Sequence, residues 1–320
     1  MSVSLLGDGI FLVAIAWQAY GLLDRPAALA YVGVAISLPQ VILLLVGGAT
    51  SDRVPRQTIL LYADVSRALA VGALALATAT DHVRLWELYV VGALIGSATA
   101  FASPAFDAIV PQLVPAEELN QANSFEQFVR PVSLQLAGPA LGGLAVATVH
   151  PAGALILDAV TFAFSACCVW RMPRLSTPVH PTAPGNLHRE IREGLRYVRR
   201  HVWLWGTFLS ATFTYLLFIG PTQVLLPYIV RNAIHQGPST YGLILTAGGI
   251  GALFAAVVMG RRGECRRPIV WIYGWWAVAT LGVAGYGVAT QAWGLALAAI
   301  VVNGAEVLGA VVWATLKQRR

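Results

Sequence analysis

The sequence predicts an all-α polytopic membrane protein, and three observations carry that expectation. Of its 320 residues, 57% are hydrophobic and 11% charged, with a mean hydropathy of +0.68, whereas soluble domains carry roughly 25% charged residues. The apolar residues gather into runs of about the 20 that a helix needs to cross a bilayer. Those runs are continuously apolar and lack the dyad alternation of a membrane β-barrel. A soluble enzyme is excluded.

Charged residues and Gly/Pro punctuation divide the chain into ten spans. The first, 3–23, stops at Asp24-Arg25-Pro26, and the second, 28–50, runs to Asp52-Arg53. The third, 58–79, lies between Pro55-Arg56 and Asp81-His82, and the fourth, 84–109, closes before Pro111. Spans 123–148 and 152–170 meet at His150-Pro151, and Arg171 ends the second of them. Span 203–230 stops at Arg231, 239–260 at Arg261-Arg262, 268–289 begins at Pro268, and 292–315 precedes Lys317.

Basic residues beside spans stay on the cytoplasmic side. Loops on one side hold 16 Arg and Lys, among them Arg53, Arg56, Arg171, Arg189, Arg261, Arg266 and Lys317, while the other side holds only Arg25, Arg84 and Arg231. This asymmetry predicts a multi-pass protein of the cell (inner) membrane with both termini cytoplasmic. It also accounts for the formal charge of +6 without nucleic acid.

The longest polar stretch, 171–202, divides the chain into a six-helix N-terminal half (1–170) and a C-terminal part (203–320) with four helices. Within the linker, a Pro/Ser/Thr segment precedes Leu187, Ile191, Leu195 and Val198 at helical spacing with Arg between them. That reads as a basic amphipathic helix on the inner membrane face or as a solvated connector. If the second half repeated the first, it would end near residue 370. On that logic the C-terminal half is incomplete by two helices, and the chain is not expected to transport by itself.

Ionisable residues inside spans cost roughly 2.5–3.5 kcal/mol on insertion scales and are functional hypotheses by default. Asp64 with Arg67, and Glu126 with Arg130, stand three and four residues apart, so each pair can neutralise itself on one helical face. Glu126 also sits in the first turn of its span, where the helix dipole favours an anion. Asp8, Asp158 and Glu306 have no basic residue at that spacing. They are candidate proton or substrate groups, or hydrogen-bonded acids with no transport role. Trp17, Tyr20, Trp271, Tyr273, Trp275 and Trp276 are cavity candidates or, more simply, interface anchors.

The loop after the second span reads Gly48-Ala-Thr-Ser-Asp52-Arg53-Val-Pro-Arg56-Gln57, which resembles the G-x-x-x-D-R-x-G-R-K loop of the major facilitator superfamily. Pro55 replaces a Gly and Gln57 a base. The fifth span carries Gly138-Pro139-Ala-Leu-Gly142-Gly143, which resembles the G-P-x-x-G-G signature of that superfamily's antiporters. With Ser4–Gly9, Ala102–Phe106 and Val114–Asn123, these motifs resemble the transmembrane secretion effectors, the subfamily that includes enterobactin and macrolide exporters. The fourth-span arginine of drug antiporters is absent, since 90–101 holds no Arg.

The resemblance implies a major-facilitator-type bundle that exports a hydrophobic or amphipathic small molecule by alternating access, driven by protons. Gly48, Asp52, Arg53 and Arg56 would form the cytoplasmic gate, with Asp107 as partner to Arg53 or Arg56. Gly138, Pro139, Gly142 and Gly143 would form a rocking seam. The rival readings are an uptake permease of the same superfamily and a truncated membrane protein that transports nothing. No cofactor is expected. The six His form no H-x-x-x-H pair and the three Cys no C-x-x-C pair, so no metal is expected either.

Overall fold

The computed structural model describes residues 2–115, 118, 125, 128–173, 196, 199–200, 205–206, 209, 220–262 and 267–318. Every element among them is helical. The helices are α1 (Ser2–Leu22), α2 (Pro26–Ser51), α3 (Arg56–Ala79) and α4 (Leu85–Leu113). A helical stretch Phe128–Arg171 follows. It is two helices, because Val149 and His150 leave the helical region and His150 has φ 60°. We label its arms α5 (128–148) and α6 (151–171). Three short turns between 220 and 233 form α7. The chain then runs through α8 (Pro238–Arg262), α9 (Pro268–Val288) and α10 (Ala292–Gln318).

The reversal at His150 is visible in what α1 touches. A methyl added at Gly9 would stand 2.8 Å from the Gly138 Cα in α5, whereas one at Gly7 would strike the Thr161 and Asp158 side chains of α6. Positive φ recurs at Asp81 and His235, the turns leading into α4 and α8. All three left-handed turns lie at the end of the bundle that the basic-residue pattern expects to be external.

Membrane helices associate through small residues and close backbone packing, since lipid offers no hydrophobic drive between them. Gly96 and Gly47 bring α4 and α2 together, with added methyls meeting the carbonyls of Ile36 and Ala100. Pro104 removes the amide that would bond the Ala100 carbonyl, and Gly47 packs against that freed oxygen. The fourth span was expected to close at 109, yet α4 runs to Leu113 with Pro104 and Pro111 inside it. Proline is tolerated there because neighbouring helices resupply the polar contacts.

The core is centred on α1, whose Val13, Ala14, Ala19 and Tyr20 are at most 1% exposed, and it continues into α3, α6, α8 and α10. By contrast, α2 turns Tyr31, Leu38, Val41 and Ile42 outward. Most of the predicted linker, with Leu187, Ile191, Leu195 and Val198 of its expected amphipathic helix, lies outside the described residues.

Candidate functional site: a cavity between the halves

The antiporter-like motif is split between two faces of α5. Gly138 and Gly142 face α1, where added methyls would meet Gly9 Cα at 2.7 Å and Ile10 Cα at 2.9 Å. Gly143, one residue further round, faces α8, while Pro139 touches both neighbours, its ring 3.0 Å from a methyl added at Gly9 and its carbonyl beside Gly242. A methyl at Gly143 would lie 2.8 Å from the Pro238 carbonyl and 3.1 Å from Gly242 Cα. The motif therefore packs α5 on α1 through Gly138 and Gly142, and on α8 through Gly143 and the Pro139 carbonyl.

Pro139 also shapes the helix before it. Lacking an amide hydrogen, it cannot bond the carbonyl four residues back, and Val132–Ala137 widens into a π-turn. The loosened carbonyls are used by α8. Thr246 Oγ1 donates to the Leu136 carbonyl at 3.0 Å, and Gly249 packs against that of Gln135.

Beside this seam lies a cavity of about 270 Å³ bounded by α1, α2 and α5 on one side and α7–α10 on the other. Leu12, Ile15, Val32, Leu134 and Leu245 give it apolar walls, and Gln135, Thr222, Gln223, Tyr241, Tyr286 and Asn303 supply polar groups. Among the described residues that line it, none is Asp, Glu, Lys, Arg or His. Tyr241 and Tyr286 carried no signal of their own in the sequence, because a tyrosine in an apolar run reads as packing. The six aromatics singled out from sequence do not line this cavity. Trp271 and Trp276 instead pack around α10, with Trp271 Nε1 donating to the Leu308 carbonyl at 3.2 Å and Trp276 lying against Gly309.

Above the cavity, at the end expected to be external, three contacts join α1 and the loop after it to α7. Tyr20 donates its hydroxyl to the Val224 carbonyl at 2.5 Å. Asn232 Nδ2 donates to Asp24 Oδ1 at 2.8 Å, and the Arg231 guanidinium lies 5.9 Å from the Trp17 ring centre. Helical structure continues past Val230, where the apolar span was expected to stop, with Asn232 bonded to the loop after α1 and Arg231 set against the Trp17 ring of α1.

At the opposite end, Asp52 caps α2 and is exposed, as is Arg53. Arg56 Nη1 donates to the Ala108 carbonyl of α4 at 2.7 Å. Asp107, expected to be the partner, is exposed beside that carbonyl, because carbonyls near the negative end of α4 attract the guanidinium themselves. Gln57, the departure from a basic residue, donates to the Val169 and Met172 carbonyls at 2.8 and 3.0 Å and ties α3 to the end of α6. Gly48 has open space where a side chain would stand, and the close approach to α4 belongs to Gly47.

The remaining candidates scatter. Glu306 is half-buried on α10, one turn beyond Asn303, and outside the cavity lining. Arg130 is exposed, and Glu126 lies outside the described residues. Asp8 and Asp158 are gathered with Asp64 and Arg67 between α1, α3 and α6, and not in the cavity.

A family model described as transmembrane secretion effector matches residues 1–318. The chain belongs to the transmembrane secretion effectors. Among curated relatives, this secretion effector is 27% identical over 269 residues to an MFS-type transporter, YfiS, of Bacillus subtilis, covering 82% of this chain and 62% of that one. It is 24% identical to macrolide efflux protein A of Streptococcus pyogenes, over 85% of this chain and 67% of the relative. It is 28% identical to the multidrug efflux pump Tap of Mycobacterium tuberculosis, over 79% and 62%. The chain thus spans about two thirds of the length of the curated relatives it matches. Its fold is that of the inward-open xylose transporter XylE from E. coli, with TM-score 0.67 and 16% identity over 98% of this chain and 81% of that one. The nucleoside transporter NupG gives 0.66 at 12% identity over 100% and 82%. The chain therefore has the fold of these transporters and the family of the transmembrane secretion effectors.

Proposed function

We propose that the protein exports a hydrophobic or amphipathic small molecule across the cell membrane by alternating access, at the expense of the proton gradient. The observation that carries this reading is the cavity between the halves. Its walls are apolar, its polar groups are amides, hydroxyls and phenols, and its described lining bears no carboxylate or base. Such a room suits a largely uncharged molecule held by a few hydrogen bonds, as small-molecule sites commonly are.

At about 270 Å³ the cavity is smaller than most drug-sized sites, which begin near ~300 Å³. A macrolide-sized substrate enters only if the halves part, and the tight seam of α5 on α8 is where they would pivot. Export is favoured over uptake because relatives named for macrolide and multidrug efflux match most of this chain. With the external contacts of Tyr20, Asn232 and Arg231 made, the substrate side of this conformation would be the cytoplasm.

The test is accumulation of a labelled macrolide, and separately of ethidium, in efflux-deficient bacteria expressing the chain, and export there would also overturn the expectation that it needs two further helices to transport. Export lowers accumulation, a protonophore restores it, and Asn303→Trp, which fills the cavity, restores it without one. Equal accumulation in expressing and non-expressing cells, with the protein present in the membrane, overturns the reading.

A further inference from the structure

Asp158 is fully buried near the centre of α6, and its Oδ2 has no hydrogen-bond partner among the described residues. Its other oxygen lies 3.5 Å from Thr161 Oγ1, a hydroxyl that makes its shorter bond, 2.8 Å, to the Asp158 main-chain carbonyl. A bare carboxylate left so poorly bonded in a membrane interior is very costly, whereas a neutral carboxyl is tolerated.

The neighbours do not supply the missing charge. Arg67 is the buried cation of the cluster, and it is shared: its Nη1 is 3.8 Å from Asp64 Oδ1, its Nη2 donates to Thr99 Oγ1 at 2.7 Å, and its plane lies over the Phe162 ring. Asp64 takes its closest bond from Ser165 Oγ at 2.6 Å. Asp8 of α1 lies within electrostatic range of Arg67, Asp64 and Arg130, and of Asp158. The groups facing Asp158 and Asp8 are therefore Asp64 and Arg67 from α3 and the exposed Arg130 from α5. Three carboxylates surround one buried guanidinium.

We infer that this cluster between α1, α3 and α6 is the proton-binding site of the transporter, with Asp158 as the group that takes up the proton and Asp8 as its electrostatic partner. The inference deepens the export reading and rests on it for its role in transport. The step is a simple protonation: a water-borne proton binds the Asp158 carboxylate and leaves again, with no other bond made or broken.

The link to substrate is α1. The Gly7 backbone lies directly on the Asp158 and Thr161 side chains, with no room for a methyl, so charging or neutralising Asp158 acts on α1 itself. One to two turns further along, Leu12, Ile15 and Ala16 of the same helix line the cavity. Proton and substrate thus occupy separate rooms and communicate through the position of one helix.

Infrared spectroscopy of the chain reconstituted in lipid, without substrate, tests this. A protonated-carboxyl band should fade as the pH is raised. Asp158→Asn should remove it, and Asp8→Asn and Ser165→Ala, which keep Asp158, should move its midpoint by about one pH unit. Glu87→Gln, in the capping box of α4 and remote from the cluster, should change nothing. A band of unaltered size and midpoint in Asp158→Asn, or in both Asp8→Asn and Ser165→Ala should Asp158→Asn fail to insert, overturns the assignment. Because no substrate is present, this result is independent of the accumulation assay that tests export.

Discussion

Gly143 of α5 and Gly242 of α8 meet backbone to backbone, and a methyl added at Gly242 would come within 2.9 Å of Gly143 Cα. Only glycine at both positions lets the two helices lie this close. Gly143→Leu should wedge the seam open, at a cost of about 1–3 kcal/mol for overpacking, and lower export at least tenfold while the protein still reaches the membrane. Gly274→Leu on α9, where an added methyl meets nothing within 4 Å among the described residues, is the matched control. Accumulation assays with membrane immunoblots read both.

The contacts of Arg231 with Trp17 and of Asn232 with Asp24 hold the end expected to be external. A cation–π contact of this kind contributes about 0.5–2 kcal/mol, enough to shift a two-state equilibrium several-fold. In a background with Cys167, Cys168 and Cys265 replaced by Ser, Thr222→Cys places a thiol in the cavity. Adding Arg231→Ala should speed its labelling by an impermeant maleimide from outside by about three-fold or more. An unchanged rate would remove this contact from the gate.

At the other end, Arg56→Ala deletes the charged hydrogen bond to the Ala108 carbonyl, a contact worth about 1.5–3 kcal/mol. We expect transport to fall severalfold with insertion intact, and Arg56→Lys to restore it in part, since an ammonium can still donate. Asp52→Asn should have the smaller effect in this conformation, because its carboxylate is exposed. Efflux rates of the three variants check the order.

Topology is tested by reporter fusions. Alkaline phosphatase should be inactive when fused after Pro184 or Cys265 and active after Asp81 or Gln236, the positions on the basic-poor side. Activity at either of the first two sites would invert the proposed orientation.

Helix positions were legible because lipid imposes one rule on every span: apolar for about 20 residues, with its backbone satisfied internally. Hence 292–315 was expected where Ala292–Gln318 is found, and 3–23 where Ser2–Leu22 is found. Local pairing rules reached less far. Asp64 and Arg67 were expected to neutralise each other, being three residues apart. In the fold the two do pair, at 3.8 Å, but each finds its closest partner on another helix, Ser165 and Thr99, and Asp158 joins them from α6. The division of Gly138-Pro139-Ala-Leu-Gly142-Gly143 between α1 and α8 was implicit in the helical period, but which neighbour each face meets is a tertiary fact. The cavity phenols Tyr241 and Tyr286 had no pattern to announce them.

Equilibrium binding of radiolabelled erythromycin to the purified chain in lipid nanodiscs tests the central claim most directly, that the room between the halves receives an amphipathic small molecule. The account predicts saturable binding that weakens tenfold or more, about 1.4 kcal/mol, in Asn303→Trp, with thermal unfolding of the variant unchanged. Binding that is undiminished by Asn303→Trp, or that never saturates in the wild-type chain, would contradict it.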